Sequence, residues 1–180
     1  MAAEDQPPLF WWESVEGPGL AQGDRLPGCH VPVLLSEFSP AEGAVVDIDL
    51  ELRNVIVLTQ SCDLENGKAP LVAVCPLYTL SEWEQVSEDF RAKGRWEIVR
   101  QGRVEGLHLL AGLQGPEINS ECFVVDFRQI YSLPVGYLSA HAERMEQRSR
   151  LRSPYLEHFA QAFARFFMRV GLPSNITKFK

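Results

Sequence analysis

Two continuous apolar runs, Val55-Ile56-Val57-Leu58-Thr59 and Leu71-Val72-Ala73-Val74-Cys75, bracket the polar stretch Cys62-Asp63-Leu64-Glu65-Asn66-Gly67-Lys68. β-branched residues without alternation suit strands buried on both faces, and Asn-Gly is a strong short-range turn signal. A buried antiparallel hairpin is therefore expected at the centre of the chain. Around it, Phe123-Val124-Val125 and Gln129-Ile130-Tyr131 predict a third strand pair. Ala44 to Leu50, where apolar and acidic residues alternate, predicts a weaker strand. The core is read as mainly β.

Two helices are predicted to flank it. Ser81-Glu82-Trp83-Glu84 has the S-x-x-E form of a capping box, and Trp83, Val86 and Phe90 recur at helical spacing, giving a short amphipathic helix near residues 81–93. Ser153 as N-cap and Pro154 at the first helical position introduce Tyr155, Phe159, Phe163, Phe166, Phe167 and Val170, closed by Gly171 and Pro173. A helix over 154–170 spans about 26 Å. Aromatic residues at that spacing read as core or dimer contacts rather than a cofactor box.

With 180 residues, 46% of them hydrophobic and 23% charged, one domain that buries roughly 70% of its unfolded surface is expected. No apolar run approaches the ~20 residues of a membrane helix. Residues 1–22 are read as an N-terminal extension and 23–180 as a single domain in which residues 80–106 form an insertion. Leu9-Phe10-Trp11-Trp12 is too apolar to stay in water and is expected to pack. The first thirty residues show no basic start followed by an apolar stretch, and no lipidation motif is visible, so the expected compartment is the cytoplasm. The net charge of −7 divides into −8 over residues 1–50, −3 over 51–150 and +4 over 151–180. The acidic front repels a polyanion. Arg144, Arg148, Arg150, Arg152, Arg165 and Arg169 either attract one or form solvated helix faces with Glu143, Glu146 and Glu157, the second being the commoner arrangement.

Cys29, Cys62, Cys75 and Cys122 contain no C-x-x-C pair and indicate neither a disulfide framework nor a zinc knuckle. Apolar neighbours predict that Cys75 and Cys122 are buried. The segment Thr59-Gln60-Ser61-Cys62-Asp63-Leu64 has two readings. In one, Cys62 is a nucleophile or ligand and Asp63 a general base, with His30, His108, His141 or His158 nearby. In the other, which is favoured, Asp63 and Ser61 hydrogen-bond to loop amides and Cys62 packs beneath. A zinc site from Cys29, His30, Cys62 and Asp63 has suitable ligand types but no diagnostic spacing. His108 and His158 sit among apolar residues, as structural histidines do, whereas His30 and His141 lie in polar text.

From Arg53 onward the hairpin resembles the central hairpin of the PemK/MazF family of toxin endoribonucleases. The resemblance is carried by Arg53-Asn54-Val55-Ile56-Val57-Leu58-Thr59, then Asp63, Asn66, Lys68 and Pro70, then Val72, Val74, Pro76 and Thr79. Gly23-Asp24 looks like the family's opening dipeptide, and Phe123 to Ile130 is similar to its later strand. In outline the resemblance touches residues 23–180; in specific letters it covers about 53–79.

The resemblance implies a small half-open β-barrel of the Src homology 3-like type, with an inserted short helix and a long C-terminal helix. It also implies a homodimer and an antitoxin or other protein partner. The implied activity is metal-independent cleavage of single-stranded RNA by attack of the ribose 2′-hydroxyl, with no cofactor. By that likeness Arg53 is the catalytic arginine that stabilises the phosphorane charge and Thr79 the hydroxyl that orients the phosphate. Pro76-Leu77-Tyr78-Thr79 is one residue longer than the family's P-x-T, so Tyr78 competes with Thr79 for that position, and Asn54 stands where the family has proline. Gln60, Cys62 and Asp63, in the loop alongside, complete the implied substrate-binding set. The alternative is a non-catalytic module on the same scaffold that docks a protein in a bacterial stress or defence system. An enzyme requires Arg53 and Thr79 in one open basic groove; a module requires Arg53 tied to an acid beside an exposed aromatic patch.

Overall fold

The computed structural model describes residues 10–34, 37–113 and 120–168. In chain order these form β1 (Trp12–Glu16), β2 (Arg25–Val33), β3 (Asp49–Val57), α1 (Ser61–Glu65), β4 (Leu71–Thr79), α2 (Leu80–Val86), a 3-10 turn (Glu88–Arg91), α3 (Arg95–Arg100), β5 (Leu107–Leu110), β6 (Phe123–Asp126), β7 (Tyr131–Pro134), α4 (Val135–Arg144), β8 (Gln147–Leu151) and α5 (Tyr155–Phe167). The expected hairpin is present: Val55 faces Pro76, Ile56 faces Cys75 and Val57 faces Val74. Val55 and Val57 pack into one apolar cluster with Val72 and Val74, while Ile56 packs into another with Cys75 and Leu77. Burial on both faces is what the unbroken apolar run requires.

The main sheet runs β2-β3-β4-β6-β5, with β7 also on β4, and β1 with β8 makes a separate two-stranded sheet. Every pairing is antiparallel. The fold is mixed α/β, built on an antiparallel sheet that does not close. No helix among the described residues is long and apolar enough to cross a membrane.

Several expectations are corrected. Phe123–Asp126 and Tyr131–Pro134 do not pair with each other; β6 takes β4 residues 77–79 and β7 takes residues 71–74 of the same strand. The turn between them is drawn in by Asp126, whose carboxylate accepts from the Arg128 guanidinium and the Gln129 amide. The strand expected from Ala44 begins only at Asp49, opposite Val33, where its partner β2 ends. The helix near 81–93 is a short α2 followed by a 3-10 turn, and its capping box is Thr79 with Glu82, not Ser81 with Glu84. Ser153 caps no helix; its hydroxyl donates to Glu157. Cys75 is buried as expected, but Cys122 is exposed. Leu9, Arg169, Val170, Gly171 and Pro173 lie outside the described residues. Trp11 stacks on Tyr155 with ring centroids 4.0 Å apart, and the Trp12 indole N–H donates to the Ala111 carbonyl at 2.8 Å, so Trp11 and Trp12 pack as expected while Phe10 stays exposed.

Gly23 and Asp24 join the two sheets. The Gly23 N–H donates to Val57 O at 2.9 Å, and its own carbonyl accepts from Leu151 N–H at 3.1 Å. Its φ of +83° and the approach of Leu156 and Leu151 to within 3.0 Å of where a Cβ would stand leave only glycine room there. Asp24 is fully buried. Its carboxylate accepts from Arg148 Nε at 3.0 Å, from Arg150 Nη2 at 2.9 Å and from Ala21 N–H at 3.0 Å. Arg148 also donates to the carbonyls of Gly17 and Gly19. These two arginines therefore lie on a strand and hold the fold together, rather than forming a solvated helix face or a polyanion groove.

Removing one member of a buried ion pair leaves the other charge uncompensated, which costs about 3–5 kcal/mol. Asp24→Asn is expected to lower the urea unfolding free energy by that order, and adding Arg148→Met is expected to recover part of it.

Candidate functional site

β4 leaves β3 after Pro76 and crosses to β6. The divergence opens a pocket of about 90 Å³ lined by Leu52, Arg53, Asn54, Pro76, Leu77, Tyr78 and Glu82. Arg53 and Tyr78 thus meet in one place. The Arg53 guanidinium is ion-paired with Glu51, two residues along the same face of β3. Its Nε is buried without a hydrogen-bond partner. Burial pushes the Tyr78 hydroxyl up from its ordinary pKa, with Arg53 opposing that shift, so this phenol stays protonated near neutrality. A phosphate seeking Arg53 has to displace Glu51 while facing Glu82 in the same pocket.

Thr79 is not part of this pocket's lining. Its Oγ1 accepts from the Glu82 N–H at 3.2 Å, and the Glu82 carboxylate accepts from the Thr79 N–H at 2.7 Å. Tyr78, not Thr79, is the residue brought to Arg53, in line with the extra residue between Pro76 and Thr79.

Gln60, Cys62 and Asp63 lie at the other end of the hairpin. From Arg53 to Val57 alone the strand runs about 13 Å, and α1 follows beyond. Thr59 Oγ1 accepts from Ala73 N–H at 2.8 Å, and Ser61 Oγ accepts from Gln22 N–H at 3.1 Å. The favoured turn reading is thus met by Ser61 but not by Asp63, which bonds the loop through its backbone. Cys62 is exposed rather than packed beneath, its thiol donating to Gln60 Oε1 at 3.8 Å.

The histidines are placed elsewhere. His30 donates its backbone N–H to the Tyr137 hydroxyl, and His141 Nε2 lies 2.8 Å from Pro27 O. Among the described residues no three His, Cys, Asp or Glu side chains group as a cation site, so Cys29, His30, Cys62 and Asp63 do not assemble. His108 packs against Phe127 and Phe159, and together with His158, Gln161 and Arg165 it lines a cleft of about 920 Å³ between β5, α3 and α5.

A second surface went unread in the sequence. The ends of β2 and β3 project as a two-stranded arm, Cys29–Val33 against Asp49–Arg53. At the start of β3 and just before it the even-numbered residues are apolar and uncovered: Ile48 is 47% exposed, Leu50 61% and Leu52 63%. With Leu34, Phe38, Val45 and Val46, this region holds half of the exposed large apolar side chains among the described residues. The alternation of Asp47, Asp49 and Glu51 with Ile48, Leu50 and Leu52 is the readable signal, and it suggests a strand with one face covered. In the structure that face has no cover. No protein-family model, no curated protein and no solved structure matches the chain.

Because the Thr79 hydroxyl acts as a helix cap, Thr79→Ala is expected to cost about 1 kcal/mol in denaturant unfolding. His108 gives a pH dependence. Burial lowers its pKa from 6.5 to about 4 in the folded chain, so between those values the unfolded state takes up a proton that the folded state refuses. Stability is full above pH 6.5 and is lost as pH falls towards 4, by up to about 3 kcal/mol. His108→Leu is expected to flatten that part of the stability–pH curve, measured by urea unfolding across the range.

Proposed function

We propose that the chain is a protein-interaction module that docks its partner through the β2–β3 arm. The observation that carries this reading is the uncovered apolar row Ile48, Leu50 and Leu52, on the open face of an arm whose other face buries Cys29 and Val31 in the core. A row of this kind at the tip of an otherwise packed domain marks a site for another molecule. The residues a nuclease would draw on are engaged elsewhere: Arg53 by Glu51, Thr79 by the α2 cap, and Arg148 and Arg150 by Asp24. Trp83 packs internally against Tyr78 and Phe90, and Trp11 against Tyr155, so neither forms an exposed aromatic patch. The docking surface of this reading is therefore aliphatic.

The Src homology 3-like, PemK/MazF-type scaffold stays with this reading. It is supported by one long strand shared between two parts of a bent antiparallel sheet and by a helix packed at the C-terminal end. A MazF-like endoribonuclease is the second reading, and the meeting of Arg53 with Tyr78 in one pocket favours it.

One experiment separates the two. A photo-crosslinking residue at Leu52, introduced in cells that carry the chain naturally, is expected to give one discrete protein adduct, and the same residue at Val86 none. In parallel, mixed single-stranded RNA in EDTA is expected to remain intact. An RNA adduct, or cleavage that Arg53→Ala abolishes, would overturn the module in favour of the nuclease.

A further inference from the structure

The backbone of the arm carries more than its apolar row. Along β3 the peptide groups alternate between the strand's two edges. Val57 exchanges hydrogen bonds with Asp24 O and Gly23 N–H on the β2 side, while Leu58 N–H donates to Ala73 O on the β4 side. Counting back by twos, the odd-numbered residues face β2 and the even-numbered ones face the side of β4. Pro32, which has no N–H to give, lies opposite Leu50, as that alternation requires. β4 pairs with β3 only at residues 55–57. The N–H and C=O groups of Leu50 and Leu52 therefore project from an edge with no strand beside it among the described residues. An open edge of this kind is a template for one more strand.

The side chains on that edge select which strand. Residues 34–52 hold five acids, Glu37, Glu42, Asp47, Asp49 and Glu51, and no lysine or arginine. Asp47 and Asp49 have no ion pair among the described residues. A second copy of the arm would bring another such set of acids onto the first. A strand that alternates basic and apolar residues meets the unpaired Asp49 and the Glu51 carboxylate, which also holds Arg53, on one face, and an apolar surface across Leu50 and Leu52 on the other. Resting on the reading of the arm as a docking face, we infer that the partner is an extended cationic segment with alternating apolar residues, added as a strand to β3 at Asp49–Arg53.

The test titrates the full chain with fluorescent peptides of about nine residues, a typical upper strand length. One alternates lysine and valine, one glutamate and valine, and one threonine and valine; a fourth is the lysine peptide N-methylated at alternate residues. The lysine peptide is expected to bind, weaken with added salt, and protect the Leu50 and Leu52 amides from hydrogen exchange. Asp49→Lys with Glu51→Lys is expected to weaken it about tenfold and to favour the glutamate peptide. Full binding of the N-methylated peptide would overturn strand addition. Equal binding of the threonine or glutamate peptide would overturn the charge selection while leaving the arm as a docking face. Failure of every peptide would overturn the inference, with the Leu52 crosslink deciding the docking face separately. Self-association that Leu50→Asp abolishes would replace the cationic partner with a second copy.

Discussion

β3 and β4 hold each other through three residue pairs, Val55 to Val57 against Pro76 to Val74, and then separate because β4 continues onto β6. Peptide groups must be paired or hydrated. When β4 leaves, the outward groups of β3 from Leu52 towards Leu50 lose their partner and face the open side. The pocket holding Arg53 and Tyr78 is the fork of this separation, and the arm is its free limb. The arm and the pocket follow from one bend, and β6 and β7 keep the bend by occupying the opposite edge of β4 end to end.

Two buried acids organise three of the arginines. Asp24 gathers Arg148 and Arg150 where β2, β8 and the Gly17–Gly19 turn meet, and Asp126 holds Arg128 at the β6–β7 turn. Arg148 and Arg150 are thereby withdrawn from any polyanion groove, while Arg144, Arg152 and Arg165 stay exposed. Asp49 on the arm, and Asp47 just before it, have no ion pair among the described residues, while Glu51 holds Arg53. The same chain thus turns an acidic, partly apolar edge outwards and draws Arg148 and Arg150 inwards.

The central hairpin was legible because a strand buried on both faces needs unbroken apolar text, and Val55–Val57 and Val72–Cys75 supply it. The aromatic C-terminal helix was legible for a similar reason, since Phe159 is fully buried and its neighbours recur on one side. β8 was not: Gln147-Arg148-Ser149-Arg150 reads as a solvated surface until Asp24, more than a hundred residues away, is placed beside it. β2 was hidden by Pro27, Gly28 and Pro32, which its bulge and its pairing with β3 accommodate. At the candidate site, Arg53 and Tyr78 were named from their letters, and their meeting depends on local strand geometry. The separation of Asp63 from Arg53, and the exposure of Leu50 and Leu52, depend on where β4 turns, which no local pattern records.

The open edge of β3 is the claim on which the rest stands, and residue-resolved amide hydrogen exchange of the isolated full chain reads it directly. The Leu50 and Leu52 amides are expected to exchange close to the rate of an unstructured chain while those of Val55 and Val57 are strongly protected. Protection of Leu50 and Leu52 equal to that of Val57, unchanged on dilution, would mean that the chain covers this edge itself and would contradict the account.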